Sequence, residues 1–406
     1  MPEAQTAPQV ISPVNFKGNY ADLNKAHFGF DKKAEDLLYP LGQVQRDNVA
    51  AYKDLVKKVK SFSELDNLSA DLKENGEDRG VDWYDKRNIK KMMNEARGHI
   101  DLSEKIKSDD PLNRRQAAVA ASFWISDHDY KDWTPWDHEL LDVVEKRIIA
   151  GDPDVTEATL AALSNASSER NPKHPGAKIA HEVYVDAITH PKKETDRVLD
   201  PLHMLREDAI KQAASQITVE YGDGEDVLKQ RQNDLLVAIK DRVLAGDTSV
   251  TEEVVKALPY VAENHPEYPG ASIAHELFLN EIVNPSKPEE SRPLSSAFAL
   301  LRHTAIKQAA TEMRSRYGES EGVSAFRQSE LLEAVEKRII AGDPDVTGET
   351  SKLFDYVMSH PTYPGGRMYA KLIRGVNEGK MDIPFIKAKI SGSSGDDLIR
   401  AAYSVL

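Results

Sequence analysis

The chain has 406 residues, 40% hydrophobic and 30% charged, with 53 Lys+Arg against 67 Asp+Glu and a formal net charge of −14. It contains no cysteine, which excludes disulfides, thiolate metal sites and a cysteine nucleophile; its length suits two to three domains or one extended repeat array better than a single core. Residues 1–107 are balanced, 18 basic against 18 acidic, whereas residues 108–406 hold 35 against 49, and an acidic surface repels phosphate backbones, so no nucleic-acid partner is expected.

Residues 1–30 are polar with scattered proline and glycine and read as a disordered or loosely docked lead. The start, MPEAQTAPQVISPV, lacks the basic residues and apolar run of a secretory signal. No apolar stretch approaches the roughly 18 to 20 residues a spanning helix needs. A cytoplasmic protein without membrane association is therefore expected. Residues 31–107 carry helical spacing, as in NVAAYKDLVKKVKSF and RNIKKMMNEARGHI, and read as a helical region that can serve as a cap.

From residue 108 to 390 the chain repeats. The triplet Ala-Gly-Asp begins at Ala150, Ala245 and Ala341, steps of 95 and 96 residues. HPGAKIAHE at His174, YPGASIAHE at Tyr268 and YPGGRMYAK at Tyr363 keep nearly the same step. RQAAVAA at Arg115, KQAASQI at Lys211 and KQAATEM at Lys307 step by 96 each time. One period in three separate landmarks makes the repeat real.

Within a copy, Leu235, Leu236, Ile239, Val243 and Leu244 fall on one helical stripe. Gly246 is placed as a left-handed stop, Lys240 and Arg242 suit the negative end of that helix, and Thr251 is placed to cap the next one. Pro153 and Pro344 fall between helices. Two more proline-bounded helices follow, giving four helices in about 95 residues. The fold class expected is all-α: an α-solenoid of antiparallel helix pairs, each burying its stripe only against its neighbours.

SDDPLNRRQAAVAAS from Ser108 resembles the second-helix signature of HEAT repeats, and AGDPDVTEATLAAL from Ala150 resembles it more loosely. Asp110, Pro111, Arg114, Arg115, Ala117 and Ala118 carry the likeness: an Asp-Pro turn, early basic residues and an alanine-rich face. Threonine stands at Thr156, Thr251 and Thr347 where the family's basic residue usually falls. The resemblance implies a non-enzymatic scaffold for protein-protein interaction, and the acidity favours basic or amphipathic partner segments. No cofactor is expected.

The segment Ser126 to Glu139, SDHDYKDWTPWDHE, is the most unusual in composition. It reads as an inter-helix loop whose tryptophans bury against the array, as a partner-binding anchor through Trp133, Trp136 and His138, or as a metal site with His128, Asp129 and His138 as candidates. The last would make the chain a metal-dependent or acid/base hydrolase. His181-Glu182 and His275-Glu276 recur, but Ala370-Lys371 replaces them in the third copy, and no second histidine follows four residues later. Asp152 and Asp154 have calcium-like spacing without the rest of such a loop and read as turn and cap residues. Residues 391–406 read as a flexible linker, SGSSG, before the short amphipathic segment DLIRAAYSVL, which can dock on its own array or on a partner.

Overall fold

The computed structural model describes residues 34–126, 133–168, 173–192, 200–220, 226–285, 297–315, 323–392 and 394–405. Among them are nineteen α-helices, one 3-10 turn and no strand. Their packing contacts are consistent with a helical repeat. The lead, residues 1–30, lies outside the described residues. The chain divides into two compact units, residues 1–183 with 194–202, and residues 184–193 with 203–406.

In the first unit, α1 (Ala34–Lys58), α2 (Phe62–Asn75) and α3 (Trp83–Lys107) pack around one core. Val49, Tyr52 and Val56 of α1 meet Leu65, Leu68 and Leu72 of α2 and Ile89, Met93, Ala96 and Ile100 of α3. Ser61 and Asp82 cap α2 and α3 through their side chains. Next come α4 (Pro111–Ser126), α5 (Pro135–Ile149) and α6 (Pro153–Ser167), with α4 packed along α6. The division between the units falls within α7 (Pro175–Thr189).

The second unit continues with α8 (Pro201–Ser215), α9 (Asp226–Leu244), α10 (Thr248–Val254), α11 (Leu258–Asn264) and α12 (Pro269–Val283). It ends with α13 (Ala297–Arg314), α14 (Val323–Ile340), α15 (Pro344–Ser351), α16 (Phe354–Met358), α17 (Pro364–Asn377), α18 (Pro384–Ile390) and α19 (Gly395–Val405). The sequence spacing counts one helix where the structure has α10 and α11, and one where it has α15 and α16. Pro259 explains the first break, since it lacks an amide hydrogen and crowds the preceding turn. Gly348, Thr350 and Ser351, poor helix formers, precede the second. The corresponding α6, PDVTEATLAALSNAS, is rich in alanine and unbroken.

The Ala-Gly-Asp joint has one geometry three times. Gly151, Gly246 and Gly342 have φ of 81°, 87° and 78°, a region open to glycine and strained for other residues. Asp152, Asp247 and Asp343 then donate their amides back to Arg147, Arg242 and Arg338, and the glycine amides go to Ile148, Val243 and Ile339, closing Schellman motifs. Each aspartate also caps the next helix: Asp152 accepts from the Asp154 and Val155 amides, Asp247 from Val250, and Asp343 from Asp345 and Val346. The caps are thus the aspartates and not the threonines; Thr251 is buried and its hydroxyl donates to the Asp247 carbonyl at 2.7 Å. Pro153 and Pro344 stand inside the first helical turn, where a missing donor is harmless.

Two arginines converge on each of these carboxylates. One comes from the preceding turn: Arg242 on Asp247 at 2.7 Å, Arg338 on Asp343 at 2.7 Å, and Arg147 more distantly on Asp152 at 3.8 Å. The other comes from the helix before: Arg114 on Asp152 at 2.8 Å, Arg206 on Asp247, and Arg302 on Asp343 at 2.7 Å. Arg–Asp pairs therefore form at all three joints although threonine occupies the expected basic position.

These contacts also correct the register of the first copy. Arg206 and Arg302 are 96 residues apart, but Arg114 and Arg206 only 92. Gly176, Gly270 and Gly365 sit against the carbonyls of Ile125, Ile217 and Met313, and these too step by 92 and then 96. The match of Arg115 with Lys211 is thus displaced by one helical turn. A shift of four residues nearly preserves a helix face, so the apolar pattern survives it.

At the end of the chain, Ser391 and Gly392 form a hydrogen-bonded turn rather than an open tether. Helix α19 packs on α17, with Ala402 buried, the Arg374 guanidinium 4.8 Å from the Tyr403 ring centroid, and the Tyr403 hydroxyl donating to Glu378 at 3.0 Å. The tail docks on its own chain.

Candidate functional site

The Ser126 to Glu139 segment is described only in part. His128 and Asp129 lie outside the described residues. Trp136, at the start of α5, is 4% exposed and belongs to the core of the first unit, its indole donating to the Val59 carbonyl at 3.1 Å; its ring is a packing element and is not presented at the surface. Trp133 is half-buried with its centroid 5.6 Å from the ring of His138, which is exposed, and 6.5 Å from His174. Thr134 and Asp137 close a capping box on α5. No group of three or more metal-ligating side chains occurs among the described residues.

The histidine-glutamate positions acquire a different meaning. The glutamate or its replacement on α7, α12 and α17 faces the residue five before each Ala-Gly-Asp joint's alanine. In the second copy this is Lys240 on Glu276 at 2.9 Å, and in the third the charges are exchanged, Lys371 on Glu336 at 2.6 Å. In the first copy both are acids, Glu145 and Glu182. Burial, then the hydrogen bond and charge of Glu182, push the Glu145 carboxyl up to about 8, with Lys178 opposing. A carboxyl pair can share the site only by retaining a proton.

That assignment has a pH signature. A carboxyl raised on folding binds its proton more tightly folded than unfolded, so its contribution is fully present below about 4.5 and lost as pH rises through about 8. Glu145→Lys, which recreates the Lys240–Glu276 pair, is expected to raise the melting temperature at pH 8 and to change it little at pH 5. The gain is about 1 kcal/mol because the pair is half exposed. Melting curves at the two pH values measure it; an equal shift at both would refute the shared proton.

In the second unit a cavity of about 200 Å³ opens between α11, α12, α13 and α14. Its polar lining includes Glu263, His275, Gln308, Glu312, Arg327 and Gln328, over apolar walls that include Ala271, Phe278 and Leu331. His275 Nε2 lies 2.9 Å from Glu330, and burial lowers its pKa against the opposing effect of that carboxylate. Arg327 is turned to the Pro266 carbonyl at 2.9 Å. Gln308 donates to Glu312 at 2.9 Å, and Gln328 to the Glu312 and Ser315 carbonyls at 2.8 and 3.2 Å. Burial raises the Glu312 carboxyl; the Gln308 bond lowers it and the nearby Glu263 raises it further. The recurrence of His275 is visible in the sequence, but the cavity is not, because its lining comes from four helices.

No family model matches the chain. No curated protein matches it. Among solved structures, the crystal structure of an engineered protein aligns over 96% of this chain and 98% of that one, at 11% identity and a TM-score of 0.28. A likeness that low carries no argument about fold or function.

Proposed function

We propose that the chain is a HEAT-like α-solenoid, built on a four-helix unit of roughly 95 residues, that acts as a non-enzymatic scaffold for protein partners. One observation carries the reading. Two residues before each joint arginine of the preceding helix, at Leu112, Met204 and Leu300, an apolar side chain is exposed, by 62%, 40% and 51%. A single exposed leucine is ordinary. The same place is left open on three successive copies, and within the second unit Met204 and Leu300 offer two such apolar anchors to a partner segment. Around these positions the copies differ: Val119 and Phe123 add exposed apolar surface on α4, where the second copy has Lys211 and Ser215 and the third Lys307 and Thr311. Such variation gives each copy its own preference for a partner. The formal charge of −14 favours basic or amphipathic segments as partners.

The test is affinity capture from native lysate with the wild-type chain and with Leu112→Glu, Met204→Glu and Leu300→Glu combined. Exposed substitutions of this kind change stability little, within roughly 0.5 kcal/mol each. A stoichiometric partner held by the wild type and lost from the triple variant, with unchanged circular dichroism, is the expected result. No partner across a range of salt, or a partner held equally by both chains, overturns the proposal.

A further inference from the structure

We infer that the cavity between α11, α12, α13 and α14 is an arginine pocket, which takes the guanidinium of a partner peptide's side chain between Glu263, Glu312, Gln308 and Gln328. The inference deepens the scaffold reading and rests on it. It begins from the hydrogen-bond inventory. Gln308 and Gln328 are each 5% exposed and line the cavity. Both amide nitrogens are spent on α13: Gln308 on the Glu312 carboxylate, Gln328 on the Glu312 and Ser315 carbonyls. Among the described residues, neither side-chain carbonyl oxygen accepts a hydrogen bond. Both oxygens stay open to solvent, so a donor entering the void can bond them without displacing a protein partner.

The carboxylates point to the same chemistry. Glu312 has no cationic partner among the described residues; it accepts from the neutral Gln308 and lies near the like charge of Glu263. Arg327 lines the same void with its guanidinium engaged by the Pro266 carbonyl. Four acceptors distributed around a space of about 200 Å³ suit a planar group with several donors. A guanidinium presents five such donors, an ammonium only three on one point charge. Ala271, Phe278 and Leu331 supply the apolar wall along which an aliphatic stem would lie.

Comparison between copies separates this arrangement from the requirements of folding. Glu263 stands 18 residues after Ala245; the same offset from Ala150 and Ala341 falls on Ser168 and Ser359. Glu312 corresponds to Gln216, 96 residues earlier. The neighbouring copies hold neutral residues at both places, so the two carboxylates are particular to this junction.

The experiment follows from the same comparison. Glu263→Ser and Glu312→Gln put at these two positions the residues that the sibling copies carry and are expected to leave the fold intact. Four probes are titrated calorimetrically into the full chain: an acetylated, amidated pentapeptide with central arginine and mixed alanine and serine flanks, the same peptide with lysine, the same with norleucine, and butylguanidinium alone. The arginine peptide is expected to bind at least 10-fold more tightly than the norleucine peptide and more tightly than the lysine peptide. Each substitution should weaken it about 10-fold. Equal binding of arginine and norleucine peptides, or affinity unchanged in both variants, overturns the pocket. Butylguanidinium binding as tightly as the arginine peptide overturns the peptide as its source. The Leu112, Met204 and Leu300 triple variant keeps this cavity, so loss of captured partner there with arginine-peptide binding intact locates a failure in the exposed apolar positions and not in the pocket.

Discussion

Asp343→Ala is expected to lower the melting temperature of the second unit by roughly 10 °C, the largest effect of any single side-chain truncation considered. The side chain of Asp343 is 3% exposed and takes both Arg302 and Arg338 at 2.7 Å while capping α15 through the Asp345 and Val346 amides. Removing it leaves two guanidinium groups facing each other, Arg302 with Asp345 at 3.3 Å and Arg338 without this carboxylate, and a helix start without its acceptor. Breaking a buried pair by deleting one partner costs about 3 to 5 kcal/mol, and in a unit of this size each kcal/mol moves the melting temperature by roughly 2 to 4 °C. The loss is mainly one of uncompensated charge, so adding Arg302→Met to Asp343→Ala should restore part of the stability. Asp343→Asn, which keeps one acceptor oxygen, should fall between wild type and Asp343→Ala.

The pH dependence gives this prediction a second readout. Burial pushes the Asp343 carboxyl upward, but bonds from Arg338, Arg302 and the Val346 amide together outweigh it and hold it below its ordinary 3.8. A depressed carboxylate contributes stability above its unfolded pKa and loses that contribution as pH falls through the folded value. The difference between wild type and Asp343→Ala is therefore expected to be full at pH 7 and to narrow below about pH 4. A gap that stays constant into acid would mean that Asp343 acts through packing and not through charge.

The sequence spells out this joint only in part. Glycine before aspartate at a fixed period announces the helix stop, and the structure places Gly151, Gly246 and Gly342 at positive φ as the pattern predicts. Threonine five residues after each glycine looks like a cap because Thr is a common capping residue. Aspartate does the capping instead, since the Schellman closure places its carboxylate over the next helix's first amides. Arg206 and Arg302 give no sign in the sequence of reaching Asp247 and Asp343, 41 residues further on. Their role depends on how one helix lies across another. The first copy's register was hidden for a similar reason: sliding α4 by one turn keeps Ala117, Ala118 and Ala121 on the buried face. Only the fixed contacts of Arg114 and Ile125 reveal the displacement. The candidate pocket was less legible still, because Glu263, His275, Gln308 and Gln328 belong to four helices and only their packing brings them together.

Gly270→Ala is expected to be strongly destabilising, and the same substitution at Gly348 to be stabilising. A Cβ built at Gly270 would lie 2.1 Å from the Ile217 carbonyl oxygen and 2.7 Å from its Cα and carbonyl carbon. These are backbone atoms and cannot rotate away, so α12 must retreat from the 3-10 turn at Gln216–Thr218 on which it packs. Overpacking of this kind costs about 1 to 3 kcal/mol, at the upper end where only backbone can yield. Gly176 is tighter, 1.8 Å from the Ile125 carbonyl, and Gly365 looser, 2.7 Å from that of Met313. The loss should therefore run Gly176→Ala, Gly270→Ala, Gly365→Ala in descending order. Gly348 lies exposed within α15 with no atom within 4 Å of the position its Cβ would take, so alanine there adds helix propensity and about 1 kcal/mol of stability. One chemical change at four glycines separates close approach from propensity. Denaturant melts of the four variants measure the series, and a uniform stabilisation by alanine at every site would show that the glycines are not where α7, α12 and α17 touch the preceding helix ends.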